Sequence, residues 1–84
     1  MSRARLSKRQ EETLGLAIAF HRIHGSPATA QQVGDMTSPP VSVATAAEHM
    51  RRLVERGFMR RDGYHLGFTP IRRPDGRPLI PDED

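Results

Sequence analysis

Two adjacent prolines, Pro39 and Pro40, constrain this chain more than any other feature of its sequence. Proline has no backbone N–H and its ring clashes with the preceding helical turn, so a helix cannot continue through this point. One short helical pattern ends just before the prolines, and a longer one begins just after them. The sequence therefore predicts two helices joined by a tight turn.

The short helix before the prolines carries its own start signal. Thr29 followed three residues later by Gln32 forms a capping box, in which each side chain satisfies a backbone N–H of the other residue. We expect this helix to run through about Met36, with Val33 and Met36 facing the core.

The helix after the prolines is predicted to span roughly residues 42–56. Ser42 or Thr45 can cap its N-terminus, and Gly57 is a natural stop because glycine readily adopts a positive φ. The inner, apolar stripe of this helix comprises Ala46, Met50, Leu53 and Val54. The polar residues outside that stripe are therefore expected to face away from the core.

A longer helix precedes both. Ser7 with Gln10 forms another capping box, and Gly25 predicts an end after about His24. The apolar residues of this helix form two stripes: Leu14, Ala17 and Ile18 in one, and Leu16, Phe20 and Ile23 in the other. So wide an apolar arc indicates either a central helix packed on two sides or a stripe that meets a partner.

The remaining sequence predicts a hairpin and a tail. Asp62-Gly63 lies between residues 58–61 and 64–68, and Asp-Gly is a strong signal for a two-residue turn because both residues tolerate positive φ. From Thr69 onward the chain is rich in proline, which predicts an extended or disordered tail. We expect a loose basic start at residues 1–5, one domain over 6–69 and a proline-rich, acidic-ended tail at 70–84.

The predicted order of elements is long helix, short helix, tight turn, third helix and hairpin. This order predicts a mainly α protein with a small β-hairpin, the three-helix winged helix-turn-helix. In that architecture the third helix can enter the major groove of DNA, where base edges carry a distinct pattern of donors and acceptors. The third helix has short polar residues early, suited to base contacts, and arginines later, suited to phosphates.

The distribution of charge fits a polyanionic partner. Thirteen basic and seven acidic residues precede Pro78, a net charge of +6, whereas Asp82, Glu83 and Asp84 contribute −3. A basic body is typical of nucleic-acid-binding proteins, although arginine is also a common solubilising residue. The 84 residues include no cysteine, which excludes disulfides and thiolate zinc sites.

Motifs for catalysis are missing from the sequence. It contains no phosphate-cradling glycine loop, no paired catalytic carboxylates and no nucleophile motif, so we expect no enzymatic activity, no cofactor and no small-molecule substrate. His21 and His24 have helical ligand spacing, but no carboxylate accompanies them on that face, and we expect no metal site. No apolar run approaches a membrane span or a signal peptide, which predicts a cytoplasmic protein without a membrane partner.

Several short pieces of the sequence share one order and spacing with a known family. They are Leu6-Ser7-Lys8-Arg9-Gln10 with Glu12, Gly25-Ser26-Pro27-Ala28-Thr29, Ala46-Ala47-Glu48-His49-Met50 with Leu53, and Arg56-Gly57-Phe58. In these pieces the chain resembles the DNA-binding domain of LexA-type repressors. The resemblance covers residues 6–68 and implies a winged helix-turn-helix that binds double-stranded DNA at the nucleoid, in a prokaryote or a phage.

The resemblance also implies which residues contact DNA. In that family the start of the third helix contacts bases, and the corresponding residues are Ser42, Ala44, Thr45, Ala47 and Glu48. For phosphate contacts we expect the arginines Arg51, Arg52, Arg56, Arg60 and Arg61. The family has an asparagine where this chain has Ala44 and an acidic residue where it has Ala47, and the turn here is about one residue longer. We therefore do not expect the family's usual operator.

The peptidase domain of LexA-type repressors, which also dimerises them, has no counterpart in the sequence, and we expect no self-cleavage. We expect a sequence-specific transcriptional regulator, a repressor that acts by occupying its operator. Such proteins commonly dimerise to contact two half-sites. The expected homodimer interface is the stripe of Leu16, Phe20 and Ile23, unless the hairpin or the tail covers that stripe within one chain.

Two other function classes remain open at this point. Winged helices also serve as protein–protein interaction modules, and the wide apolar arc of the first helix is compatible with that role. RNA binding is a further alternative, but sequence-specific RNA modules rely on exposed stacking aromatics. The aromatic residues here are Phe20, Phe58, Tyr64 and Phe68, and those of the hairpin are expected in the core.

Overall fold

The computed structural model describes residues 6–61 and 67–79. The elements, in chain order, are α1 (Lys8–His24), α2 (Ala30–Met36), α3 (Val43–Glu55), β1 (Met59–Arg61) and β2 (Phe68–Pro70). The two strands form an antiparallel pair. The fold is mainly helical with a small β-hairpin, which confirms the predicted winged helix-turn-helix.

The first two helices begin where the sequence predicts. The Ser7 side chain accepts the Gln10 backbone N–H at 3.1 Å, and the Gln10 side chain accepts the Ser7 N–H at the same distance. Thr29 and Gln32 form the same reciprocal pair at the start of α2. These side chains satisfy backbone donors that a helix N-terminus otherwise leaves without partners.

The third helix is capped by Ser42, one of the two predicted candidates. The Ser42 hydroxyl accepts the Thr45 backbone N–H at 3.2 Å, and Thr45 itself lies inside the helix. After Arg56, Gly57 adopts a φ of 85°, a left-handed conformation that favours glycine, and the helix ends there.

The core lies where the helices and the strand pair meet. Its largest fully buried apolar side chains are Leu14, Val33, Met50 and Leu53. Each such side chain contributes roughly 1.5–3 kcal/mol relative to an exposed one. Ala46 is also buried, which confirms most of the predicted inner stripe of α3, whereas Val54 is half-buried.

The prediction that Met36 faces the core is wrong, because Met36 is 39% exposed. The next residue, Thr37, is buried in its place. The Thr37 hydroxyl lies 2.9 Å from the carbonyl oxygens of Gly34 and of Pro39, so its polar atom is satisfied inside the turn. A threonine bound to the backbone on both sides of the turn therefore faces inward, and the larger methionine faces outward.

The α1 helix contacts the core on more than one side. Leu14 and Ala17 are fully buried, and Ile18, Leu16 and Phe20 are partly buried against the same core cluster. From the second apolar stripe, only Ile23 is largely in solvent, with 75% of its surface exposed. The stripe proposed as a dimer interface is thus partly covered by the chain itself.

The register of the hairpin differs from that of the predicted two-residue turn. Arg61 pairs with Phe68, whereas an Asp62-Gly63 turn would pair Arg61 with Tyr64. Asp62, Gly63 and Tyr64 lie outside the described residues. The predicted hairpin is therefore present, and the turn predicted at Asp62-Gly63 lies outside the described residues.

A contact far away in the sequence explains this register. The Phe68 backbone N–H donates to the Ala28 carbonyl oxygen at 3.0 Å, so β2 lies between β1 and the connector that leads into α2. Gly67 has a φ of 83°, and a Cβ there would come within 2.6 Å of the Ala28 carbonyl oxygen. This close approach requires glycine at position 67 and places Phe68 opposite Arg61.

The segment after the hairpin folds back on itself. Pro70 is buried and ends β2, one residue beyond the predicted domain boundary. Arg72 and Pro78 form an isolated bridge, and the Leu79 backbone N–H donates to the Ile71 carbonyl oxygen at 3.0 Å. The described part of the predicted tail, residues 70–79, is therefore a turn closed by backbone hydrogen bonds. Residues 1–5 and 80–84 lie outside the described residues.

Gly34 of α2 packs against the residues that lead into α3 and against Ala46 of α3. The Gly34 carbonyl oxygen accepts the Val41 backbone N–H at 3.0 Å. A Cβ at position 34 would lie 2.8 Å from the Val41 carbonyl oxygen and 3.3 Å from the Ala46 Cβ. The two helices therefore pack at a separation that leaves no room for a side chain at position 34.

The α1 helix is tied to the turn between α2 and α3 by Glu12. Its carboxylate accepts the Ser38 backbone N–H at 3.2 Å and a guanidinium N–H of Arg9 at 3.0 Å. Glu12 is half-buried because it makes this contact. All three helices are thus linked at the turn.

We predict that Gly34→Ala lowers the free energy of unfolding by about 1–3 kcal/mol, because the added methyl group forces α2 and α3 apart. Gly15→Ala is the matched control. Gly15 is exposed within α1 and a Cβ there meets nothing within 4 Å, so the same change should stabilise the protein by roughly 0.5–1 kcal/mol. Urea unfolding followed by circular dichroism measures both. A Gly34→Ala protein as stable as the wild type would contradict the close packing.

Candidate functional site

The candidate site is the outward side of α3. The burial of Ala46, Met50 and Leu53 orients the helix and turns its other side away from the core. The five predicted base-contact residues, Ser42, Ala44, Thr45, Ala47 and Glu48, are all exposed or half-buried. The structure therefore places all of them at the surface, on the first two turns of the helix.

A concavity separates this side of α3 from the strand pair. From α3 it is lined by Ala44, Ala47, Glu48, Arg51 and Val54, and from the hairpin by Arg61, Gly67 and Phe68. Thr29 and Ala30, at the start of α2, complete its wall. Three of the predicted base-contact residues thus lie together with one arginine of α3 and one of the hairpin.

The apolar wall of this concavity was missed at the sequence level. Val54 was assigned to the inner stripe, and Phe68 to the core of the hairpin. Both are half-buried and line the concavity. The position of Phe68 follows from its pairing with Ala28 and Arg61, a long-range arrangement that no local pattern carries.

Ser42 and Thr45 lie apart from the concavity and bond to each other. The Ser42 hydroxyl donates to the Thr45 hydroxyl at 3.1 Å while it accepts the Thr45 backbone N–H. Both hydroxyl groups are exposed. Ser42 therefore fixes the start of α3, and the Thr45 hydroxyl keeps acceptor capacity on the surface.

The Glu48 carboxylate binds two arginines of its own helix. An Arg51 guanidinium N–H donates to Oε1, and Arg52 Nε donates to Oε2 at 3.1 Å. The guanidinium of Arg52, and then that of Arg51, holds the pKa of Glu48 below its ordinary value. Arg51 and Arg52, which are predicted to contact phosphates, are thus paired with Glu48, which is predicted to contact bases.

The exposed face of α3 carries balanced charge. Glu55 is exposed on the same helix, so α3 has two carboxylates, Glu48 and Glu55, beside the two guanidinium groups of Arg51 and Arg52. The arginine-rich composition suggests a strongly basic face, but the arrangement of these side chains makes it nearly neutral.

The two arginines of the hairpin lie on different sides of the strand. Neighbouring residues on a β-strand point to opposite faces. Arg61 lines the concavity beside α3, with its guanidinium carbon 5.6 Å from the centroid of the Phe68 ring, within the range of a cation–π contact. Arg60 lines a separate concavity beside α1. Of the two, only Arg61 is placed together with α3.

Arg56 also lies away from this concavity. Its Nη1 donates to the Gln10 side-chain oxygen at 3.4 Å, next to the start of α1. The five arginines that are predicted to contact phosphates therefore lie at different places in the structure. Arg51 and Arg61 line the concavity, Arg52 lies beside it through Glu48, and Arg56 and Arg60 lie elsewhere.

The described residues also bear on metals and membranes. Within residues 6–61 and 67–79, no three histidine or acidic side chains come close enough to hold a metal ion together. His24 stacks on Phe20, with ring centroids 4.2 Å apart. None of the helices in these ranges combines the length and the apolar character needed to cross a membrane.

We predict that Arg52→Gln and Arg51→Gln each raise the pKa of Glu48 towards its ordinary value, because the hydrogen bond from Arg52 and then that from Arg51 hold this pKa low. Carbon-13 NMR titration of the side-chain carboxyl measures both changes. Because the pKa of Glu48 is lowered in the folded protein, the stabilisation from these pairs is present above the ordinary pKa. It is lost as the pH falls through the lowered value.

The control for this titration is Arg77→Gln. Arg77 pairs with Asp75 at 3.6 Å in the turn after β2, so its loss should leave the pKa of Glu48 unchanged. If the pKa of Glu48 is the same in the wild type and in both α3 variants, then the two arginines do not hold this carboxylate in solution.

Comparisons with known proteins bear on the fold alone. No protein-family model matches this chain, and no curated protein matches it. A crystal structure of a protein described as hypothetical matches it with a TM-score of 0.72 at 22% sequence identity. That match covers 82% of this chain and 22% of the other, so the chain spans about a fifth of that protein's length. At this identity the similarity shows the winged helix-turn-helix fold and nothing about function.

Proposed function

We propose that this protein is a sequence-specific, double-stranded DNA-binding transcriptional regulator that acts as a repressor by occupying its operator. The observation that carries the proposal is the contact at Gly34, which holds α2 and α3 in helix-turn-helix geometry while the outward side of α3 stays at the surface. This is the arrangement in which a second helix enters the major groove.

The dimensions and side chains of α3 suit the major groove. The helix has 13 residues and is about 20 Å long, and the groove admits a single α-helix. Ala44 and Ala47 are small enough to let the backbone approach the bases, and alanine can contact the methyl group of thymine. Glu48 can accept a hydrogen bond from the amino group of cytosine. These contacts differ from those of the LexA-type family at positions 44 and 47.

Glu48 also allows the protein to discriminate between matching and non-matching DNA sites. Exposed ion pairs contribute at most about 1 kcal/mol, so DNA phosphates can compete with Glu48 for Arg51 and Arg52. On a duplex that offers Glu48 no donor, the carboxylate retains the arginines and weakens binding. On a matching site, a base amino group binds Glu48, and the arginines are released to the phosphates. Glu48 thereby couples a base contact to two phosphate contacts.

A protein-interaction module is the second candidate function. The observation that favours it is the balanced charge of α3 beside an apolar wall that includes Val54 and Phe68. Salt separates the two functions. Binding to DNA weakens steeply with salt because phosphate contacts release counterions, whereas binding of a protein to an apolar wall does not.

Self-association would extend the DNA-binding function. A homodimer would place two α3 helices on neighbouring half-sites. The expected interface on α1 retains one strongly exposed apolar side chain, Ile23, while Leu16 and Phe20 contribute partly exposed surface. The homodimer stays a prediction.

Selection from a pool of random duplexes tests the proposed function. Enrichment of one motif, with binding that weakens steeply as salt rises, is the expected result. If no motif is enriched, and if the protein binds random duplexes no better than a neutral protein of the same size, then the proposal is wrong.

We predict that Glu48→Gln weakens the preference for the selected site by roughly 1–3 kcal/mol while it strengthens binding to random duplexes. The preference falls because a base contact is lost, and non-specific binding rises because Arg51 and Arg52 are freed for phosphates. The slope of log affinity against log salt should become steeper by up to about two, because up to about two further phosphate contacts form. Fluorescence anisotropy across a salt series measures both effects.

Glu55→Gln is the matched control for this experiment. It removes the same charge from an exposed position of the same helix, but Glu55 is not the residue that binds Arg51 and Arg52. It should therefore change the affinities for the selected site and for random duplexes by the same factor. The preference for the selected site should stay unchanged. Equal effects of the two substitutions would show that Glu48 acts through net charge alone.

We predict that Arg61→Gln weakens binding to all duplexes and lowers the salt slope by about 1, because Arg61 lies beside α3, where we expect it to contact a phosphate. Arg60→Gln removes the same charge from the neighbouring position, which lies beside α1. Its effect on the slope should be smaller. If Arg60→Gln has the larger effect, then DNA approaches the hairpin from the α1 side.

A further inference from the structure

A second concavity, of about 530 Å³, lies between α1, the strand pair and the turn after β2. Its apolar residues are Ile18 from α1, Pro70 from β2 and Leu79 from the end of the turn. Pro70 is buried, and Ile18 and Leu79 are half-buried. The hydrogen bond from the Leu79 N–H to the Ile71 carbonyl oxygen holds Leu79 in this position.

Three arginines from three different elements surround this apolar floor. Arg22 comes from α1, Arg60 from β1 and Arg73 from the turn after β2, and His21 lies beside them. All three arginines are exposed. Among the described residues that line the concavity, none is an aspartate or a glutamate.

We propose that this concavity binds an acidic peptide segment of a partner protein, in which carboxylates flank one apolar side chain. The argument is charge complementarity around an apolar floor. Guanidinium groups bind carboxylates through charge-assisted and often bidentate hydrogen bonds. The apolar side chain of the peptide fills the space over Ile18, Pro70 and Leu79 and loses its contact with water. This division into an apolar centre and a charged rim is typical of protein interfaces.

A peptide fits this concavity better than a DNA backbone does. A DNA phosphate can bind an arginine, but it presents no apolar group to cover the floor. Within residues 6–61 and 67–79, the concavity also shares no lining residue with the one beside α3. The peptide and the ligand of α3 can therefore bind at the same time, and the inference does not depend on the proposed function.

The probe is a fluorescently labelled pentapeptide, Asp-Glu-Leu-Asp-Glu with blocked ends, titrated with the full chain by fluorescence anisotropy. We expect saturable binding. We also expect a loss of affinity of about tenfold in the double variant Arg22→Gln with Arg73→Gln, since two exposed ion pairs are removed. A peptide with serine in place of leucine, and a protein with Leu79→Ser, should each bind more weakly as well.

The matched control is the double variant Arg51→Gln with Arg52→Gln. It removes the same charge from α3, and it should bind the peptide as the wild type does. Thermal unfolding confirms that each variant is folded. All titrations are repeated with Asp82→Asn, Glu83→Gln and Asp84→Asn, so that carboxylates close in sequence to Leu79 do not compete with the probe.

Three results would overturn the proposal. In the first, the two double variants lose affinity equally, so that net charge alone attracts the peptide. In the second, the peptide with serine binds as well as the peptide with leucine, so that the floor has no role. In the third, a random-sequence duplex displaces the peptide from the wild type but not from the Arg22 and Arg73 variant, so that the rim binds phosphates instead.

Discussion

The contact between α2 and α3 at Gly34 is the constraint on which the rest of the structure depends. With no side chain at this position, the Val41 backbone and the Ala46 Cβ can approach α2 closely enough for the Val41 N–H to donate to the Gly34 carbonyl oxygen. The hydroxyl of buried Thr37 then lies within hydrogen-bond distance of the carbonyl oxygens of Gly34 and Pro39. Glu12 adds α1 to the same junction. The orientation of α3, and so the direction in which its outward side faces, follows from this one turn.

Sequence alone predicts the parts of this fold that are local. Capping boxes act over three residues, so Ser7 and Thr29 could be located without a structure, and Ser42 was one of two candidate caps for α3. The hairpin register could not, because it depends on Ala28, which pairs with Phe68 across the fold. The burial of Thr37 instead of Met36 could not be predicted from the sequence for a related reason. A pattern of apolar residues gives no weight to a threonine whose hydroxyl is satisfied by the backbone.

The candidate site likewise combines features that local sequence predicts with features that depend on long-range contacts. The spacing of Glu48, Arg51 and Arg52 already places them on one side of a helix, where residues three and four apart interact. Counting them as separate base and phosphate contacts overlooked the ion pairs that they form with one another. The alternation of a β-strand likewise implies that Arg60 and Arg61 face different ways. By contrast, the wall formed by Phe68 depends on long-range pairing and required the structure.

Under the proposed DNA-binding function, the placement of charge assigns specificity and affinity to different parts of this protein. The net charge of +6 before Pro78 does not reside on α3, where carboxylates balance the arginines. A helix with balanced charge gains little affinity from a phosphate backbone unless a matching base first binds the Glu48 carboxylate. Non-selective attraction must then come from arginines outside α3, such as Arg61 beside it. In such an arrangement a mismatch costs a base contact and two phosphate contacts together, so a short helix can discriminate more strongly than its few base contacts alone would allow.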